Sequence, residues 1–250
     1  MTLARPSSLA GRPVLVAPGP FGGDLRAPVV AAAIGRALEA AGLSPPELCP
    51  VTSGGAGTVE VLLPALGGET ADGFALVEDG GTALVEPGDE AAETARRLAA
   101  AAGAGPAVIV LAAADVPAAH VADALASFDG GARIVVLTGP GDGAPDLPAG
   151  AVAESGTRFV LEALDIDPRL RAARAVVVGT GRLDDRALRG AVEGEIAVRA
   201  RQAGVPCHMV TGALALDLFA TRILDLQRIV EATDAAAIEA ATGAALAPVL

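Results

Sequence analysis

Short, continuous apolar runs alternate along this chain with longer Ala-rich stretches in which hydrophobic residues recur at helical spacing. The runs 13–17, 47–51, 107–111, 133–137, 175–178 and 205–210 predict buried strands, with a last short strand near 228–230. Between them the amphipathic pattern predicts helices over 26–41, 58–66, 89–102, 117–127, 155–164, 185–203, 213–220 and 234–242. Gly42 is placed to end the first of them. Residues 74–86 read differently. There two β-type runs flank Asp79-Gly80-Gly81, a hairpin pattern. The stretch 138–150 is rich in Gly, Pro and Asp and reads as a linker or an irregular wall of a site.

Strands without polar alternation, each followed by a helix, predict a parallel sheet covered on both faces. The expected fold class is α/β: a Rossmann-like, doubly wound, mostly parallel sheet with helices on both faces. In such sheets ligands collect at the carboxyl ends of strands. Those ends are residues 18–24, 52–58, 112–117, 138–146, 179–184 and 211–213. No internal repeat or domain boundary is visible in the pattern.

Composition narrows the function. The 250 residues carry a formal charge of −12, which repels nucleic-acid phosphates and anionic lipid surfaces. There is no Trp or Tyr and only five Phe, so base-stacking platforms are nearly absent. The expectation is no nucleic acid and no membrane partner. With 52% hydrophobic and 19% charged residues the chain is not built for disorder. All 18 basic residues are Arg. Arg keeps its proton and forms no imine, which excludes the usual Walker A site and Lys-anchored pyridoxal phosphate. Cys49 and Cys207 form neither a CxxC pair nor a metal-spaced cluster, which fits a reducing compartment. The start lacks a continuous apolar segment, and the longest apolar run, 107–114, is too short to span a bilayer. A soluble, cytoplasmic protein is expected.

Two turns could carry chemistry. In the first, Ser53, Gly54, Gly55, Gly57 and Thr58 precede a helix, and their N–H groups could cradle a phosphate or carboxylate. The same residues also suit an ordinary strand-to-helix turn capped by Ser53 or Thr58. In the second, Gly179, Thr180, Gly181, Arg182 and Asp184 follow a strand. The third glycine of a dinucleotide fingerprint is replaced by Asp184, so that reading is weak. Arg182 could bind an anion and Asp184 a hydroxyl or metal, or the two could form a salt bridge pinning the loop. No metal site is assigned. Asp24 is the one charge of the 18–24 loop. His120 and His208 lack partners at a recognisable spacing and read as structural. Asp115, Asp142 and Asp146 could take a cation or be solvated.

Three segments together resemble the glycerate kinase family, whose members phosphorylate glycerate with ATP. They are residues 14–25, residues 50–59, and the late stretch that runs from Ala163-Leu-Asp-Ile-Asp-Pro-Arg-Leu170 through 175–184 and 188–191 to Gly204-Val-Pro206. Their order and spacing agree across most of 13–85 and 158–212. The departures fall where the family is polar. Asp and Ser of the first loop are Gly19 and Pro20, and its Lys is Gly22. In the second, Asp is Ser53 and Glu is Ala56. In the third, Glu, Gln, Thr and Lys are Thr180, Arg186, Ala187 and Ala191. Of the functional side chains, Arg182 and Asp184 persist.

The resemblance also implies a second domain inserted after the strand 107–111. The short stretch that follows here suggests that this domain is largely missing. One domain over 1–250 is then expected, with parts 13–112 and 155–242 joined by a shortened 113–154 segment. By resemblance, Asp184 and Arg182 are the catalytic candidates. ATP and Mg²⁺ are implied only where the family's activity survives; otherwise the cofactor is unknown. A degenerate homologue is expected, holding a small anionic ligand such as a hydroxy acid. An active kinase, a homo-oligomer and a non-enzymatic subunit for a protein partner stay open.

Overall fold

The computed structural model describes residues 11–23, 25–141 and 146–250. Its elements in chain order are β1 (Val14–Pro18), α1 (Ala27–Ala40), β2 (Glu47–Leu48), α2 (Thr58–Leu66), β3 (Gly68–Ala71), β4 (Phe74–Val77), β5 (Thr82–Val85), α3 (Ala91–Gly103), β6 (Val108–Ala112), α4 (Ala118–Ala126) and β7 (Arg133–Thr138). There follow β8 (Ala151–Ser155), α5 (Gly156–Ala163), α6 (Ile166–Ala172), β9 (Ala175–Thr180), a 3-10 turn (Asp185–Arg189), α7 (Val192–Ala203), β10 (Cys207–Thr211), α8 (Leu218–Ile223), β11 (Leu226–Glu231) and α9 (Ala235–Ala245).

The α/β class holds: mostly parallel sheets are flanked by helices. Among the described residues there are two sheets, ordered β11-β10-β9-β1-β2 and β3-β4-β5-β6-β7-β8. The chain divides accordingly into two compact units. One comprises the described residues up to Pro50 with Asp165–Leu188 and Glu193–Leu250; the other comprises Val51–Leu164 and Arg189–Val192. The expected 113–154 connector holds α4 and, in the second sheet, β7 and most of β8. A strand buried on both faces has the same residue pattern in either sheet, so the pattern cannot assign it to one.

In the first unit every strand pair is parallel. Val14 and Val16 of β1, with Val177 and Val210, pack against Val30, Ile34 and Leu38 of α1 and Ile238 of α9. Residues of the other parity, Leu15, Ala17, Val176, Val178 and Met209, are buried as well, so both faces are covered. The strand expected over 47–51 pairs only at Glu47 and Leu48. Cys49 still donates to the Val16 carbonyl, but Pro50 has no N–H to continue the ladder.

The second unit is mixed. β3, β4 and β5 are antiparallel neighbours, and β5 to β8 run parallel. Its core joins Val85, Ile109, Leu111 and Val136 to Leu98 of α3 and to Val121 and Leu125 of α4. The expected hairpin forms, and Asp79 holds its turn by accepting from the N–H groups of Gly81 and Thr82. β3, β8 and α6 were not expected. The signal for β3 is Asp72-Gly73, a hairpin dipeptide between Ala71 and Phe74, which pair directly. The helix expected over 185–203 breaks at Gly190, whose φ is +97°. The one expected over 213–220 begins instead at Leu218, because Asp217 caps it by accepting from the Ala220 N–H at 2.7 Å.

His208 on β10 is buried, and its Nδ1 has no hydrogen-bond partner. Burial first, and the neighbouring Arg228 second, push its pKa below the ordinary value. The unfolded chain therefore takes up this proton more readily. The stability this site contributes is full above about pH 6.5 and is lost as the pH falls through the folded-state value. Wild type should lose denaturant resistance on acidification below that pH, and His208→Leu should lose less. Parallel pH profiles for the two proteins would refute this assignment.

Candidate functional site

The two turns singled out from the sequence lie in different units: 53–58 in the second, 179–184 in the first. In the second unit, Gly54 has φ +91°, and its Cα lies against Gly156 at the start of α5. The turn's donors meet partners from the same unit. Gly54 N–H donates to Thr52 Oγ1 at 3.3 Å, and Thr58 N–H to the Gly55 carbonyl at 3.2 Å. Ala56 N–H donates to Asp115 Oδ2 at 3.2 Å, and Val59 N–H to Glu86 Oε1 at 2.9 Å. Only a residue without Cβ admits Asp115 here, since a Cβ on Gly55 would lie 2.5 Å from the Asp115 Cγ. The N-cap of α2 is Gly57 rather than Ser53 or Thr58. Thr58 is buried and its hydroxyl donates to the Gly55 carbonyl at 2.6 Å, while Ser53 Oγ accepts from the Val192 N–H at 3.3 Å. The cradle thus already holds two carboxylates of its own chain.

In the first unit, the loops after β1, β9 and β10 lie together. Gly19 N–H donates to the Gly179 carbonyl at 2.8 Å and Gly212 N–H to the Thr180 carbonyl at 3.1 Å. Gly179 and Gly181 admit Phe21. A Cβ on Gly181 would stand 2.5 Å from the Phe21 carbonyl oxygen, and one on Gly179 would stand 3.2 Å from its ring. Thr180 Oγ1 reaches the Arg182 carbonyl at 3.4 Å.

Asp184 accepts from the Arg186 N–H at 3.0 Å and from its Nε at 3.2 Å; Arg182 Nε is 3.7 Å away. Partial burial alone would raise the Asp184 pKa, but the Arg186 hydrogen bonds and the two guanidinium charges outweigh it, so the group lies below its usual value. The expected Arg182–Asp184 pair is therefore present but looser than the Arg186 one. Both guanidinium side chains remain open to solvent, 61% exposed for Arg182 and 57% for Arg186. They can receive an anion, while Asp184 can accept from a hydroxyl.

Glu193, in the first turn of α7, escaped the sequence reading. An acidic residue there normally sits in water. Here it is 7% exposed. Its neighbour Gly194 packs flat on the 3-10 turn, where a Cβ would overlap the Ala187 carbonyl. Burial raises the Glu193 pKa; its own N–H and Arg186 pull the other way, and Asp184 adds to the rise.

The remaining candidates carry less. Asp24 and Asp142 lie outside the described residues. Asp146 is exposed. His120 Nε2 sits 2.9 Å from the buried Thr94 hydroxyl. Burial pushes the thiols of Cys49 and Cys207 up to about 11 and about 12, which keeps them protonated and unreactive. Among the described residues no three His, Cys, Asp or Glu side chains are grouped to hold a metal, and no helix is long and apolar enough to cross a membrane.

Two uncharacterized proteins, from Mycobacterium bovis and Mycobacterium tuberculosis, are each 35% identical to this chain over 82 residues, which is 33% of this chain and 22% of theirs. The match therefore spans about a fifth of those relatives. A crystal structure from Salmonella typhimurium LT2, of a protein provisionally named glycerate kinase 2, shares the fold at 18% identity. That superposition has a TM-score of 0.65 and covers 93% of this chain and 94% of that one. The glycerate kinase family model matches residues 14–114 and 138–246. With most of its length matched, this chain belongs to the glycerate kinase family.

Proposed function

We propose that this protein has lost phosphoryl transfer and instead holds a small hydroxy acid at the Arg182–Asp184–Arg186 cluster. The observation that carries the reading is the state of the 53–58 turn. Its Ala56 and Val59 N–H groups are taken by Asp115 and Glu86. A triphosphate would have to displace two carboxylates of like charge, and phosphoryl transfer needs cations that neutralise the transferred group. No Lys exists to supply one. The residues present do not fit ATP with Mg²⁺, and no step is drawn through them. Arg182 and Arg186 suit a carboxylate, and Asp184, kept ionised by them, suits the neighbouring hydroxyl. A second reading, a non-enzymatic subunit or homo-oligomer, is favoured by α8, where Leu218 and Phe219 are 71% and 74% exposed.

An ATP-consumption assay with D-glycerate and Mg²⁺ tests the loss of transfer. Each missing electrostatic stabiliser costs about 10²–10³ in rate, so turnover should lie at least about 10⁴-fold under the roughly 1–100 s⁻¹ of kinases. Robust turnover would end the proposal. D-Glycerate at 100 times its Kd should stabilise by about 2.7 kcal/mol, and Arg182→Ala should abolish that shift. No shift with glycerate or nucleotides would favour the subunit reading.

A further inference from the structure

Among the described residues eight large hydrophobics are exposed, and four of them, Leu214, Leu218, Phe219 and Ile223, fall within ten consecutive positions. The other four, Leu48, Val152, Leu188 and Val249, are scattered along the sequence. Leu218 and Phe219 are the most exposed of the eight. Phe219 and Ile223 stand one helical turn apart on α8, while Ala220, Thr221 and Leu224 are buried. The other four of the five Phe residues, Phe21, Phe74, Phe128 and Phe159, are all half-buried. An exposed apolar cluster of this kind marks a contact surface.

The charges around the cluster indicate what covers it. Arg201 is placed there by its hydrogen bond to the Ile223 carbonyl at 2.7 Å. Arg222 lies on α8 and Arg228 on β11. Against these three stand Asp217, which caps α8, Asp225, which accepts from Gln227, and Glu231, which accepts from the Leu214 N–H at 3.2 Å. Three positive and three negative charges cancel, so the whole formal charge of −12 lies elsewhere on the chain. Two copies of so acidic a chain repel each other over most of their surface. On this face that repulsion is locally absent. A foreign partner steered by charge gains nothing from a neutral face, whereas a second copy does. The two signs also lie at opposite ends of α8, Asp217 at its N-cap and Arg222 in its last turn. A two-fold, antiparallel pairing of α8 with α8 brings the Asp217 end of each copy to the Arg222 end of the other.

We propose that the face formed by Leu214, Leu218, Phe219 and Ile223 docks a second copy of this chain, giving a two-fold dimer through α8. This rests on the reading of α8 as a docking surface and names its occupant; it is independent of the hydroxy-acid reading.

The test is sedimentation equilibrium of the full chain from about 1 to about 100 µM, where the mass should rise to twice that of the chain. Phe219→Glu places a carboxylate in the centre of the face, twice over in a two-fold dimer, and should weaken association by at least about 100-fold. Val249→Glu makes the same change in charge at another exposed hydrophobic and should leave the dimer intact. A wild type that stays monomeric over the whole range overturns the dimer, whatever the variants do. So does a dimer that survives Phe219→Glu, or one that Val249→Glu breaks equally. Fluorescence of an anilinonaphthalene sulfonate dye, which reports exposed apolar surface, tells the two failures apart. A monomer whose dye signal falls in Phe219→Glu has an open α8 face and loses only the second copy as its occupant. A monomer whose signal does not depend on Phe219 loses the docking reading of α8 as well.

Discussion

Gly54→Ala should unfold the second unit at a temperature roughly 10–20 °C below wild type, corresponding to a loss of about 3–5 kcal/mol. Two costs combine. With φ at +91°, the residue occupies a conformation that a side chain disfavours. The added Cβ would also overlap the Gly156 Cα, and would sit 3.1 Å from the Gly156 carbonyl carbon and 3.2 Å from Leu137 Cβ. Most of these are backbone atoms at the start of α5, so no rotamer change relieves the clash. The approach is reciprocal, because a Cβ on Gly156 would lie 2.8 Å from the Gly54 Cα. Gly57→Ala is the matched control. It too has positive φ, at +82°, but its nearest neighbour would be Thr52 Cγ2 at 3.9 Å. Only the conformational cost applies there, about 1–2 kcal/mol. Melting curves by far-UV circular dichroism distinguish the two. Equal losses would mean that the Gly54–Gly156 approach contributes nothing.

This contrast shows what a glycine-rich motif conceals. Ser53-Gly-Gly-Ala-Gly-Thr58 reads from sequence as an anion cradle or as a plain turn, because both need glycine before a helix. The deciding partners, Glu86 and Asp115, lie 27 and 59 residues away from the N–H groups they take. No local spacing announces them. Glu193 was hidden for a related reason. It is buried beside Gly194, which meets the Ala187 carbonyl, a contact between a 3-10 turn and a helix where one long helix was expected.

What was legible follows the local rules. The continuous runs around Val14–Pro18 and Ala175–Thr180 became paired strands, buried throughout except at the half-buried Thr180, because burial on both faces demands unbroken apolar sequence. The 74–86 hairpin was legible from its turn. The break at Gly190 and the Asp72-Gly73 turn were also written locally, and the first was outweighed by the longer helical pattern expected over 185–203. The division into two sheets was not legible at all. Nothing in a strand's own residues says which neighbour it will pair with.

Gly181→Ala should lower the melting temperature of the first unit by roughly 5–10 °C, a loss of about 2–3 kcal/mol from overpacking. Its φ is outside the left-handed region, so space alone is at issue. A Cβ would lie 2.5 Å from the Phe21 carbonyl oxygen and 2.8 Å from the Phe21 Cα. That loop cannot easily withdraw. Phe21 N–H donates to the Leu25 carbonyl and Gly19 N–H to the Gly179 carbonyl, each at 2.8 Å. From the other side Gly212 closes on Gly181, where its own Cβ would lie 2.5 Å from the Gly181 carbonyl oxygen. Three strand-end loops therefore stack through glycines, and this stack sets where Arg182 and Asp184 stand. The prediction separates packing from ligand binding as the use of Gly179-Thr-Gly181. A variant that melts within about 1 °C of wild type yet no longer responds to D-glycerate would show that the glycine makes room for the ligand instead.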